Sequence, residues 1–163
     1  MVKLLTFKML SGYTRPVVSI AKDVTCLIDT GADTPVWTQG RETLNDVFEA
    51  ERVEGKKFIL SGFGKEPEIV DVYNISNVVL NDNNGERLIF KNMTVACTIR
   101  PNMVAHLILP ATAFSHMNYT IRNVGVESPV IEIECSKDVY FVNPVYSTLD
   151  DKFVERVYSF TNG

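Results

Sequence analysis

Asp29-Thr30-Gly31 is the one place in the chain where residue types and their order point to chemistry. An apolar run, Cys26-Leu27-Ile28, delivers a carboxylate at its end, and apolar sequence resumes at Val36-Trp37 after Ala32-Asp33-Thr34-Pro35. Solvation alone gives no reason for an acid at the end of a core strand. Gly31 admits positive φ and a close backbone approach, and the Thr30 hydroxyl can hydrogen-bond locally to hold the turn. A carboxylate fixed in this way suits general acid–base work, which makes Asp29 the candidate catalytic residue with Thr30 and Gly31 as its scaffold. The same residues also suit a surface turn between two strands that Asp29 merely caps.

The elements that must position this turn are strands. Residues 17–20 and 24–29 read as two of them, joined at Ala21-Lys22-Asp23. Upstream, Lys3 to Met9 alternates weakly and predicts an edge strand before the Ser11-Gly12 turn. Downstream, Leu44, Val47, Phe48 and Val53 predict a short packing helix within Arg41 to Glu54. Two β-rich segments, Lys57 to Leu60 and Ile69 to Tyr73, flank Ser61-Gly62-Phe63-Gly64-Lys65-Glu66-Pro67, which predicts a hairpin with a glycine-bearing tip. Asn81 to Gly85 is the clearest turn, joining strands 75–80 and 86–99.

Further on, Ala105 to Phe114 reads as an apolar strand running into a short helix, with Pro110 suited to the first helical position. Val130 to Cys135 alternates cleanly and predicts a hairpin with Val139 to Val142. Leu149, Phe153, Val154 and Val157 recur after Ser147, an apt N-cap, and predict a terminal amphipathic helix.

Composition sets the outer limits. The 163 residues suit one domain, which by size scaling buries roughly 70% of its unfolded surface. With 45% hydrophobic and 22% charged residues, neither a disordered nor a fibrous class is indicated. A net charge of -4 without a basic patch argues against a nucleic-acid partner. Lys8 interrupts the apolar N-terminus and no small-residue cleavage site follows, so Met1 to Leu10 reads as a strand, and no membrane attachment is expected. Cys26, Cys97 and Cys135 are odd in number and far apart, which fits a reducing cytoplasm better than a disulfide framework. His106 and His116 lack metal-like spacing, so neither a metal nor any other cofactor is expected. The sequons at Asn74, Asn92 and Asn118 carry no weight without secretion.

Residues 27–37 resemble the retropepsins, the retroviral-type aspartic proteases: apolar residues, then Asp-Thr-Gly-Ala, then Asp or Ser, then a short apolar run. The resemblance extends to Arg15-Pro16-Val17-Val18-Ser19-Ile20 and implies that Arg15 pairs with Asp33 of a partner subunit, although a solvated loop arginine fits the residues as well. It makes the hairpin at 58–73 a flap that closes over peptide, with Ser61, Gly62, Phe63 and Gly64 touching substrate together with Ala32 and Asp33. It departs at Ile108-Leu109-Pro110-Ala111, where family members carry glycine and then arginine in the last two places.

The fold implied is all-β with few short helices, a retropepsin-like closed barrel of one lobe per chain over residues 1–122. Residues 123–163 form an extra hairpin and helix packed on that domain. Peptide hydrolysis by this chemistry needs two carboxylates sharing a proton around one water. One chain carries a single Asp-Thr-Gly, so the resemblance implies a homodimer with both Asp29 residues on its two-fold axis, active at mildly acidic pH on an extended peptide. A catalytically silent dimerisation or peptide-binding module of the same fold is the alternative.

Overall fold

The computed structural model describes residues 2–10, 16–21, 23–29, 32, 34–62, 65–100, 105–114, 117–122, 130–136, 139–140, 146–147 and 154–158. These are mainly β. In chain order the first half holds β1 (Lys3–Lys8), β2 (Val17–Ala21), β3 (Val24–Asp29), β4 (Val36–Trp37), the helix α1 (Gly40–Val47), β5 (Glu49–Gly62) and β6 (Lys65–Ser76). The second half holds β7 (Val78–Asn81), β8 (Arg87–Phe90), β9 (Met93–Cys97), β10 (Leu107–Pro110), a 3-10 turn at Ala111–Phe114 and β11 (Asn118–Arg122). After these come β12 (Val130–Cys135), β13 (Val139–Tyr140), β14 (Tyr146–Ser147) and β15 (Val154–Tyr158).

Nine strands form one sheet in the order β14-β15-β5-β6-β9-β4-β10-β3-β2, and β1-β12-β11 and β13-β8-β7 form two smaller ones. In place of a closed barrel, the described ladders are open. Strand alternation sends successive side chains to opposite faces, and the large sheet accordingly separates two cores. The larger takes Cys26, Ile28, Trp37, Tyr73, Ile75, Val95, Leu107 and Leu109 against the smaller sheets. The other takes Leu27, Val36, Phe58, Leu60, Val70, Val72, Ala96 and Ile108. Because Cys26 to Ile28 of β3 and all of β10 are buried on both faces, they read as unbroken apolar runs.

Several expectations hold and several are corrected. The β2–β3 hairpin, the edge position of β1, the β5–β6 hairpin and the strand-to-helix run at 107–114 are as the residues suggest. The helix expected within 41–54 stops at Val47, because Phe48 is already extended (φ -128, ψ 159) and Glu49 opens β5. Strands 75–80 and 86–99 are each broken by an asparagine at positive φ, Asn77 (59) and Asn92 (53), a conformation asparagine tolerates. Pro110 ends β10 and Ala111 begins the 3-10 turn, one position later than expected.

Two corrections are topological. The 130–135 strand does not pair with the next segment; β12 lies between β1 and β11, and β13 runs parallel to β8. The terminal amphipathic helix is absent at 154–158, where β15 pairs instead with β5. An open strand edge offers a backbone ladder that a short isolated helix cannot match.

Polar side chains close the edge of β1. Asp82 is buried, and its Oδ1 accepts the backbone N–H of Asn84 (2.8 Å) and Glu86 (2.7 Å) while Oδ2 accepts that of Thr6 (3.2 Å). Beside it, Asn83 Oδ1 accepts from Lys8 N–H (3.3 Å) and Asn83 N–H donates to the Thr6 carbonyl (2.9 Å). Asp82→Ala strands three donors of this cluster, and chemical denaturation should show a loss of about 2–3 kcal/mol.

Candidate active site

Asp29 is the last residue of β3, and in this single chain it is 5% exposed. Its strand is gripped on both sides. On one side β2 runs antiparallel, with Val17 opposite Leu27, and Ile28 N–H donates to the Pro16 carbonyl (2.9 Å). On the other, β10 runs parallel, pairing Cys26 with Leu107, Leu27 with Ile108, Ile28 with Leu109 and Asp29 with Pro110. Proline is tolerated there because it stands at the end of its strand. Beyond the strand, Ala32 N–H donates to the Asp29 carbonyl (3.1 Å) across the turn.

His106 sets the register of this pairing. Its Nδ1 accepts Thr25 N–H (3.1 Å), its own N–H donates to the Thr25 carbonyl (3.1 Å), and its carbonyl accepts Thr38 N–H (2.9 Å). The Thr38 hydroxyl donates to the Ala105 carbonyl (2.9 Å). The start of β10 is thus fastened to β3 and to the residue after β4, which fixes what lies opposite Asp29.

By alternation Asp29 points to the same face as Leu27, the face of the smaller core. Buried Ala32 belongs to that core, together with Phe58 and Leu60 from β5 and Val70 and Val72 from β6. The hairpin arms thus share one apolar core with Leu27 and Ala32, which precede and follow Asp29 in the chain. Of the residues the sequence singles out, Ala32 lies in this core, Asp29 ends β3 on the same face as its member Leu27, and Ser61 and Gly62 lie at the far end of β5, where Gly62 pairs with Lys65. Arg15, Thr30, Gly31, Asp33, Phe63 and Gly64 lie outside the described residues.

Sequence reasoning passed over the apolar lining itself: Leu27, Val36, Phe58 and Ile108. The signal for it was present in the alternation Phe58/Leu60 and Val70/Val72 on facing arms. Among the described residues no group of three His, Cys, Asp or Glu is placed to hold a metal ion, and no helix is long and apolar enough to cross a membrane. Cys26, Cys97 and Cys135 form no disulfide. Burial pushes the Cys26 thiol far up, and burial followed by the nearby Asp71 charge raises Cys97 to about 11, so neither is a reactive thiolate at neutral pH.

One ion cluster ties the two hairpin arms. Lys57 Nζ donates to Asp71 Oδ1 (2.6 Å) and Arg52 Nη2 approaches the same oxygen (3.3 Å). The Lys57 hydrogen bond holds the Asp71 carboxyl below its ordinary value of 3.8, against an opposing push from burial, and the charges of Lys57, Arg52 and Arg41 add to the lowering. A carboxylate whose pKa falls on folding stabilises the protein above its unfolded value, and the contribution is lost as pH drops through the lower folded value. These groups are a third or more exposed, so screening limits the effect to about 1 kcal/mol or less. Urea midpoints of wild type and Asp71→Asn should differ by a constant amount above pH ~4 and converge as pH falls below it.

No family model matches the chain, and neither the curated proteins nor the solved structures include one similar to it.

Proposed function

We propose that the protein is an aspartic endopeptidase of the retropepsin kind, built as a homodimer in which two Asp29 carboxylates share one proton and one water. The observation that carries this reading is Asp29 itself: a carboxylate at 5% exposure ending an inner strand paired on both edges, beside an apolar core to which the β5–β6 hairpin contributes. A buried carboxylate is costly to maintain without a use. In the reaction the ionised Asp29 takes a proton from the water, and its protonated copy polarises the scissile carbonyl. The peptide lies extended between hairpin and floor, held by strand-type hydrogen bonds, with apolar side chains on either side of the cut. On this reading the lobe closes as a barrel only in its complete form, no metal or cofactor takes part, and the working place is the cytoplasm.

Pro110, in register with Asp29 where the family carries glycine, favours a second reading as a silent peptide-binding module. The test is cleavage of a diverse peptide library between pH ~4 and ~7, with molecular mass measured by sedimentation in the same samples. An active dimer supports the peptidase. A folded dimer that binds peptides without cutting them supports the module, and an inactive monomer overturns both.

A further inference from the structure

Support for the β5–β6 hairpin changes hands halfway along it. β9 pairs with β6 over Asp71 to Ile75, matched to Met93 to Cys97, and reaches no farther toward the tip. The distal half is held from the opposite edge: β15 lies parallel to β5, with Val154 opposite Lys57 and Tyr158 opposite Ser61. β14 then backs β15, pairing Tyr146 with Val157 and Ser147 with Arg156. Between the two supports β5 bulges. Arg52 pairs with Tyr73 and Lys57 with Asp71, which leaves Val53 to Lys56 facing Val72 alone. Gly55 sits in that bulge at φ +72 with open space around it, so the backbone there can change direction at low steric cost.

We propose that the β14–β15 pair is a strap that holds the distal hairpin down on the Asp29 floor, and that the Val53–Lys56 bulge is the hinge on which this half lifts when the strap lets go. The proposal takes its meaning as substrate control from the peptidase reading. A two-stranded hairpin alone is marginally stable in water, whereas four strands are not. The strap joins by five residues of parallel ladder, weaker per residue than the antiparallel arms it supports, so it opens first. Lifting uncovers Phe58, Leu60 and Val70, and an apolar peptide side chain laid on Leu27, Val36 and Ile108 replaces that cover. Arg52, Lys57 and Asp71 span the bulge and remain as the tether between the two halves.

Hydrogen exchange on the full chain tests this directly. Arg156→Pro and Val157→Pro change consecutive positions, so one of them removes an N–H facing β5. That variant should speed exchange at Lys57 to Gly62 and Lys65 to Val70 by roughly tenfold or more, with Asp71 to Ile75 and Met93 to Cys97 unchanged. A second variant, Ile59→Cys with Arg156→Cys, places thiols at register partners whose spacing suits a disulfide; oxidation should slow exchange in the same distal segments and a reductant restore it. Wild-type exchange in both proline variants, an equal rise along β9, or failure of the cysteine pair to link overturns the strap. Where the chain cleaves peptide, the oxidised pair should turn over more slowly until reduced. A chain that cleaves nothing overturns the peptidase reading alone, because exchange reports on the strap without it.

Discussion

On the proposed peptidase reading, Asp29→Asn should leave a folded dimer whose peptide cleavage is lower by roughly a thousandfold or more. The amide keeps the size of the carboxylate and its acceptor oxygen but cannot take a proton from water at any working pH. The site lies at 5% exposure, where a charge is expensive, so removing it should hold or raise the thermal midpoint while activity vanishes. Mixing strengthens the test. If two copies build one site, adding equal Asp29→Asn chain to wild type under exchange conditions leaves only about a quarter of the dimers with both carboxylates. At fixed total chain concentration, activity should fall with the square of the wild-type fraction. A linear fall would mean that each chain works alone.

Trp37→Ala should cost about 3–5 kcal/mol, a large share of the roughly 5–15 kcal/mol that holds a domain together. Trp37 is fully buried in β4, between β9 and β10, and its ring meets Phe48 edge to face at 5.8 Å. Its indole N–H donates to the Gly40 carbonyl (2.9 Å) and to the Thr43 hydroxyl (3.1 Å), so truncation removes packing area and also frees polar groups at the start of α1. Denaturation followed by far-UV circular dichroism measures the loss. A change below about 1 kcal/mol would show that β4 does not depend on this ring. As the only tryptophan, it also makes intrinsic fluorescence of the wild type a report on this strand.

The elements around Asp29 were legible because their signals are local. A continuous apolar run marks a strand buried on both faces, and β3 and β10 are such strands. Glycines between two alternating segments mark a hairpin, and β5 and β6 are its arms. Nothing local shows which distant edge a strand will fill. Val154, Val157 and Tyr158 are good strand formers without a clean alternation, Phe153, Val154 and Val157 also fit a helical face, and the open edge of β5 decides between them. β12 likewise leaves β13, which follows it, and pairs with β11 just before it and with β1 from the other end of the chain. At the site, the acid and Ala32 could be named from one motif. The apolar lining comes from β3, β4, β5 and β10, which only the fold brings together.

The pairing of β10 with β3 also sets a schedule for biosynthesis. Thr25 and His106 are separated by 81 positions, and until His106 and Leu107 to Pro110 leave the ribosome, the strand bearing Asp29 has an empty slot beside it. Contacts of such long range form late and slowly. A nascent chain that has already exposed Asp29 is therefore still without the ladder that holds it, and on the proposed chemistry the growing polypeptide stays harmless to its neighbours until β10 has been translated.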